Sequence, residues 1–242
     1  MSAALISERA YRSASAVTRG VRIVLAALAA LLASTGAAHA DRAEKARNTV
    51  NDAVETVNAF TADRNYRNLW KLAKDAHAVI VIPTSVRGGL IIGGSGGNGV
   101  MLGRKDGGGW SQPAFFRISS LSIGLQAGGE VSELVLVVRS KAGLDQLLGS
   151  SVKLGADLSV AAGNAGGGSK VQTTDVIAFS RSQGLYGSIS IEGAVLKVNN
   201  KWNKAYYGRE VSPVDIIYLG KASNQHSAAL RSAVARLANK AD

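Results

Sequence analysis

Residues 76–103 read AHAVIVIPTSVRGGLIIGGSGGNGVMLG, a run of branched residues that gives way to glycine within a dozen positions. Short branched runs bounded by glycine read as strands. Working outward, the period stays at two from Ala76 to Asn199. It gives candidate strands at Ala78 to Ile82, Leu90 to Ile92, Gly99 to Leu102, Phe115 to Gln126, Val131 to Arg139, Val152 to Ala162, Asp175 to Arg181 and Leu185 to Val198, interrupted by a short helix at Asp145 to Leu148. Ile118, Ser120, Ser122, Gly124 and Gln126 alternate with Ser119, Leu121, Ile123 and Leu125, which predicts an antiparallel sheet with one buried face. No strand, helix, strand rhythm of a doubly wound fold is present.

Glycine sets the shape of that sheet. Of 28 glycines, 24 fall between Gly88 and Gly193. A glycine inside an ordinary strand costs roughly 0.5–1 kcal/mol against alanine, so a dozen of them would cost ~10 kcal/mol, as much as a domain's whole stability. They are therefore expected at positive φ, at bulges and at close backbone approaches, as in a strongly curved sheet or small barrel.

The flanks are helical. Ala43, Ala46, Val50, Ala53, Val57 and Phe60 recur at spacings of three and four on one face. A second helix over Asp63 to Asp75 sets an apolar stripe of Tyr66, Leu69, Trp70 and Ala73 beside a basic stripe of Arg64, Arg67, Lys71 and Lys74. After a polar turn with Trp202, Tyr206 and Tyr207 and an apolar run from Val214 to Leu219, a last helix over Asn224 to Lys240 aligns Leu230, Val234 and Leu237. The expected fold is α+β: a glycine-rich curved antiparallel sheet or barrel-like core with N-terminal helices and a C-terminal helix.

The chain has 242 residues, no cysteine, and 28 basic against 17 acidic residues. Disulfides, thiol nucleophiles, cysteine zinc sites and lipid-modified cysteine are excluded. Arg9, Arg12, Arg19 and Arg22, the apolar run Ile23 to Ala33 and Ala38-His39-Ala40 read as a secretory signal peptide over residues 1–40, leaving 41–242 as a single domain. Removing it takes four arginines and one glutamate and leaves 24 basic and 16 acidic residues. The apolar run is too short to span a bilayer. An anionic partner is expected, and outside the cytoplasm nucleic acid is not the expected one.

Catalytic motifs fail on context. Gly94-Ser95-Gly96-Gly97-Asn98-Gly99 satisfies G-x-G-x-x-G after an apolar run, but no helix opens at Gly99 and no carboxylate follows about 20 positions on. A tight hairpin is the plainer reading of the motif. Gly93 to Gly97 matches the letters of a nucleophile elbow without the helix that strains it. His77 and His226 have no metal spacing, and Asp106, Glu130, Glu133, Asp157, Asp175, Glu192 and Glu210 are scattered. Aromatic residues at 5% argue against a stacking platform, and Trp70, Trp110 and Trp202 read as packing residues. No enzyme and no cofactor is expected.

The ordered series AHAVIVIP (Ala76 to Pro83), Arg87-Gly88-Gly89, Gly93-Gly94, Gly96 to Gly99, Gly109 to Pro113 (GWSQP), Ser122 to Gly128 (SIGLQAG), Leu154-Gly155-Ala156, Ser180 to Glu192 (SRSQGLYGSISIE) and Tyr206-Tyr207-Gly208 resembles the SYLF domain. The resemblance runs from about Thr49 to Leu219. It implies a non-enzymatic role and affinity for anionic phospholipid, phosphoinositides in the eukaryotic endocytic adaptors that also bind actin. The leader makes actin an unexpected partner here. The resulting expectation is an exported protein binding anionic phospholipid at the cell envelope through Arg64, Arg67, Lys71 and Lys74, with Trp70 available to insert. The alternative is a periplasmic structural or protein-interaction module, with envelope proteins as partners. Four cations at an anionic leaflet are worth about 1 kcal/mol each, which alone gives only millimolar binding.

Overall fold

Ala78, Val79, Ile80, Val81 and Ile82 are apolar without a break, and the structure buries all of them, alternately into two different cores. The structure is a computed structural model that describes residues 39–89, 92–123, 128–163, 173–182, 185–186 and 191–240. The expected leader falls almost wholly outside the described residues. Helix α1 covers residues 39–62, and a 3-10 turn at Arg64–Tyr66 leads into α2 at Arg67–Lys74. The sheet strands are β1 Ala78–Gly89, β2 Ile92–Gly103, β3 Ala114–Ile123, β4 Gly128–Val138, β5 Ser151–Lys153, β6 Val160–Ala162, β7 Val176–Ser182, β8 Leu185–Tyr186 and β9 Val195–Val198. Helix α3 spans Lys141–Leu147, α4 Asn200–Tyr207, α5 Pro213–Ile217 and α6 Ala228–Ala238.

The strands lie in the order β5-β9-β3-β2-β1-β4-β7-β6, with β8 beside β7. Every pairing is antiparallel except β6 with β7. Val79, Val81, Val100, Leu102, Val135 and Val137 pack under α1, α2 and α6. Ile80, Ile82, Met101, Leu134 and Leu136 pack with Leu144 and Leu147 of α3 and Ile216 and Ile217 of α5. Burying one leucine or isoleucine side chain contributes about 1.5–3 kcal/mol, so this doubly covered centre holds most of the fold's stability. The expectation of a single buried face is thereby corrected: helices cover both faces, which is why β1 reads as a continuous apolar run and not an alternating one.

Proline explains the most irregular point. Pro83 lies in a central strand, where its missing N–H breaks the ladder. The register accordingly shifts between Val81 and Thr84 against β2, and between Ile82 and Ser85 against β4. The bulge drives the Val81 and Thr84 carbonyls onto β2. A Cβ at Gly99 would sit 2.5 Å from Val81 O, and one at Gly97 2.4 Å from Thr84 O. The G-x-G-x-x-G run is thus the interior of β2, opposite a bulge, and not the tight hairpin expected for it.

Other boundaries moved for similar reasons. The apolar runs at Leu90 to Ile92 and Gly99 to Leu102 belong to a single strand, since glycine here spaces the sheet instead of ending it. Val152 to Ala162 divides into β5 and β6 around a turn with Gly155 at φ +85°. Leu185 to Val198 divides into β8 and β9; residues 187–190 lie outside the described residues. The expected polar turn at Trp202, Tyr206 and Tyr207 is helix α4, capped by Asn199 and stopped by Gly208 at φ +71°. Residues from Ala43 onward make one compact unit.

Candidate functional site

Helix α2 and the turn before it are held by three directional contacts, one to β7, one to the residue after β6 and one to α1. Tyr66 Oη donates to Ser180 O at 2.8 Å, Asn68 Nδ2 to Gly163 O at 3.1 Å, and Trp70 Nε1 to Phe60 O at 3.0 Å. Its C-terminal carbonyls are met by an arginine from beyond β2: Arg104 Nη2 donates to Ala73 O and Lys74 O at 2.8 Å each, and Nε donates to Ala76 O at 2.8 Å. Cations at a helix C-terminus are favoured by the helix dipole. The same guanidinium stacks over Trp110, 4.6 Å from its ring centroid.

The apolar stripe read from spacing is buried throughout, with Tyr66, Leu69, Trp70 and Ala73 at 3% exposure or less. Arg64, Arg67, Lys71 and Lys74 are exposed. Trp70 lies in the core under α6, and Lys240 Nζ stands 5.0 Å from the centre of its ring. The part first assigned to Trp70, inserting into a membrane, is therefore not open to it in this arrangement: its indole N–H is already donated and its ring is packed. Lys240 is a cation of this neighbourhood that sequence spacing could not place, because it arrives from just past the end of α6, 170 positions on. Among the described residues no helix is long and apolar enough to cross a membrane.

The other chemical candidates stay dispersed. Ser95 sits inside β2, its hydroxyl 2.6 Å from that of Ser120, with no elbow. His77 is exposed before β1, and His226 Nδ1 lies 3.3 Å from Tyr206 Oη. Among the described residues no three His, Asp or Glu side chains converge as metal ligands. Glu133 accepts from Thr56 Oγ1 at 2.9 Å and pairs with Arg181 at 3.0 Å, tying α1 to β4 and β7. A cleft of about 480 Å³ between α4 and α5 is lined by Asn200, Lys204, Glu210, Val211, Ser212 and Asp215. Its two carboxylates are both held below the usual range. Glu210 is lowered by Lys204, 2.8 Å away, and Asp215 is lowered to about 2, first by the Ser212 hydroxyl and backbone. A general acid needs the opposite shift.

Comparison with known proteins places this architecture. Residues 119–237, about half of the chain, match the Ysc84 family, described as Las17-binding protein actin regulator. The chain belongs to this family, that of the SYLF domain. A Schizosaccharomyces pombe SH3 domain-containing protein is 32% identical over 142 residues, 55% of this chain and 33% of its own length. The Bos taurus SH3 domain-containing YSC84-like protein 1 is 29% identical over 145 residues, 57% of this chain and 42% of its own. The Saccharomyces cerevisiae protein YSC84 is 26% identical over 137 residues, 53% and 29% respectively. The chain thus spans less than half the length of these curated relatives. No solved structure matches. The SYLF match starts at Ser119 in β3 and ends at Leu237 in α6, so it covers the sheet beyond β2 and the last helices, while α2 and its basic residues precede it.

Proposed function

We propose that this SYLF-domain protein is exported, non-enzymatic, and associates with anionic phospholipid at the cell envelope through Arg64, Arg67, Lys71 and Lys74. The observation that carries the reading is the division of α2 and the 3-10 turn before it: Tyr66, Leu69, Trp70 and Ala73 are buried, while Arg64 on the turn and Arg67, Lys71 and Lys74 on the helix are exposed, and hydrogen bonds fix the orientation of both. Lys240 adds a fifth positive charge nearby. With Trp70 packed, attraction is chiefly electrostatic, so binding is expected to be weak per molecule and steeply lowered by salt. The family's description names Las17 binding and actin regulation; for an exported chain neither is the partner we propose.

Burial of Trp70 also favours a second reading, an interaction module of the periplasm. Val86 and Val131, paired across β1 and β4, are about half exposed (52% and 47%) and offer an apolar surface. Co-sedimentation of residues 41–242 with neutral and with anionic vesicles at low and physiological salt separates the two. Binding that needs anionic lipid and vanishes when Arg64, Arg67, Lys71 and Lys74 are changed to Glu supports the first. Equal absence of binding in every condition would sink it and favour the second.

A further inference from the structure

Five large apolar side chains are substantially exposed among the described residues, and three of them fall within six positions: Val214 at 38%, Tyr218 at 42% and Leu219 at 54%. Val214 and Tyr218 are four apart, on one side of α5 and its cap, while Pro213, Ile216 and Ile217 of the same helix are buried. A lone exposed leucine is ordinary, but apolar residues gathered on one short segment mark a contact surface. Tyr218 is also held still. Its hydroxyl donates to Asp145 of α3, and Lys141 Nζ stands 4.9 Å from the centre of its ring and 3.2 Å from the same carboxylate. An aromatic side chain already fixed loses little freedom on docking, which suits it to anchor an interface. At the start of the same helix, the cleft lined in part by Val211, Ser212 and Asp215 adds a concavity.

Charge selects what this surface fits. Three ion pairs surround it: Lys141 with Asp145 at 3.2 Å, Lys221 with Asp215 at 3.3 Å and, across the cleft, Lys204 with Glu210 at 2.8 Å. The face is therefore neutral, on a chain that carries 24 basic against 16 acidic residues from residue 41 onward. Two copies of so basic a protein repel on most approaches, but not on this one. A patch holding both signs is also complementary to itself, as a twofold contact requires, since the same residues supply both sides. We propose that Val214, Tyr218 and Leu219 form the centre of a twofold contact between two copies of this chain. Three apolar side chains are too few for an obligate interface, so the dimer is weak and reversible. Helix α5 packs in the core of Ile80 and Ile82, and α2 in that of Val79 and Val81, on the other face of the sheet. The contact thus leaves the two α2 helices on opposite outer sides, where the dimer can join two anionic surfaces; this consequence alone rests on the α2 reading.

Sedimentation equilibrium of residues 41–242, which hold the whole compact unit, tests the proposal over a range of concentrations. Expected is a reversible monomer–dimer equilibrium that added salt does not weaken, because the face has no net charge to screen. Leu219→Arg, at an exposed position, should leave the thermal midpoint unchanged and weaken the dimer ~10-fold or more, since it forces a charge into the contact. Val86→Arg, at the other exposed apolar pair, should also fold and should leave the dimer as it is. Turbidity of anionic vesicles forms the second arm. The wild type should cluster them, and Leu219→Arg should bind them without clustering. Vesicles bound by neither protein would remove the α2 reading and leave the dimer, which is read from mass, standing. A chain that stays monomeric at ~1 mM, or a dimer that Val86→Arg dissolves and Leu219→Arg does not, overturns the proposal and leaves the patch to a partner of another sequence.

Discussion

Strand β1 is two strands in one chain segment, divided by Pro83. Below the bulge, Ala78 to Ile82 are sealed between two helical layers. Above it, Thr84 and Val86 are exposed and pair with Asn98 and Gly96 of β2. The difference shows what holds a long hairpin: the base is held by apolar packing on both faces, whereas the upper part has chiefly its ladder and spacing devices such as Gly97 and Gly99. A stability that lives at the base leaves the upper part as the region that opens at lower cost.

The sharpest way to break this comparison is to fill the space under the bulge. Gly99→Val places a branched side chain where even a Cβ meets Val81 O at 2.5 Å and Ile82 Cγ1 at 2.7 Å. Since the obstacle includes backbone, the expected loss exceeds ~3 kcal/mol, beyond ordinary overpacking. Gly107→Ala, with nothing within 4 Å of the added methyl, should stay within about 0.5 kcal/mol. Chemical denaturation of both variants is the check. A stable Gly99→Val would mean that the bulge gives way, and that glycine there does not serve close approach.

Truncating a valine and a leucine compares the two halves directly. Leu136→Ala, at a fully buried site on β4, should cost about 2–5 kcal/mol. Val86→Ala should change stability by no more than about 0.5 kcal/mol, since half of Val86 is already in water. Equal costs would show that Val86 and Val131 are covered in solution by something other than their own chain, which would favour the interaction-module reading.

Much of the base was legible in sequence because helical spacing is local. Ala46, Val50, Ala53, Val57 and Phe60 on α1, the Tyr66 to Ala73 stripe on α2, and Leu230, Val234 and Leu237 on α6 are buried as their periodicity predicts. Curvature was legible through the sheer number of glycines. What spacing could not carry was any feature that depends on two distant segments: the second covered face, supplied by α3 and α5; the Arg104 cap on α2, 30 positions away; and the Lys240 contact with Trp70. Helix α4 was missed for another reason. Asn200 to Tyr207 mixes lysine, asparagine and aromatics without a clean stripe, and its helical state follows from the Asn199 cap and the packing of Tyr206 on Phe115, centroids 5.0 Å apart.

The smallest expected effect sharpens the same contrast through pH. Asp175 immediately precedes β7 at the base and accepts from Ser140 Oγ at 2.5 Å and Ser159 Oγ at 2.6 Å, linking the start of α3 to the approach of β6. The Ser140 hydroxyl, then the Ser159 hydroxyl and backbone, hold its carboxyl below the usual carboxylate range. Because the folded value is the depressed one, this contribution is fully present above the unfolded carboxylate value of about 4 and is lost as pH falls below it. Thermal unfolding of the wild type against Asp175→Asn should therefore show a gap above pH ~5 that narrows as the solution is acidified toward pH ~3. Amide exchange at acid pH should loosen Ser159 and Val176, at the base, before the residues flanking Gly97. Loosening confined to the upper part of the hairpin would mean that the clamp on Asp175 is not what couples α3 and β6 to the sheet.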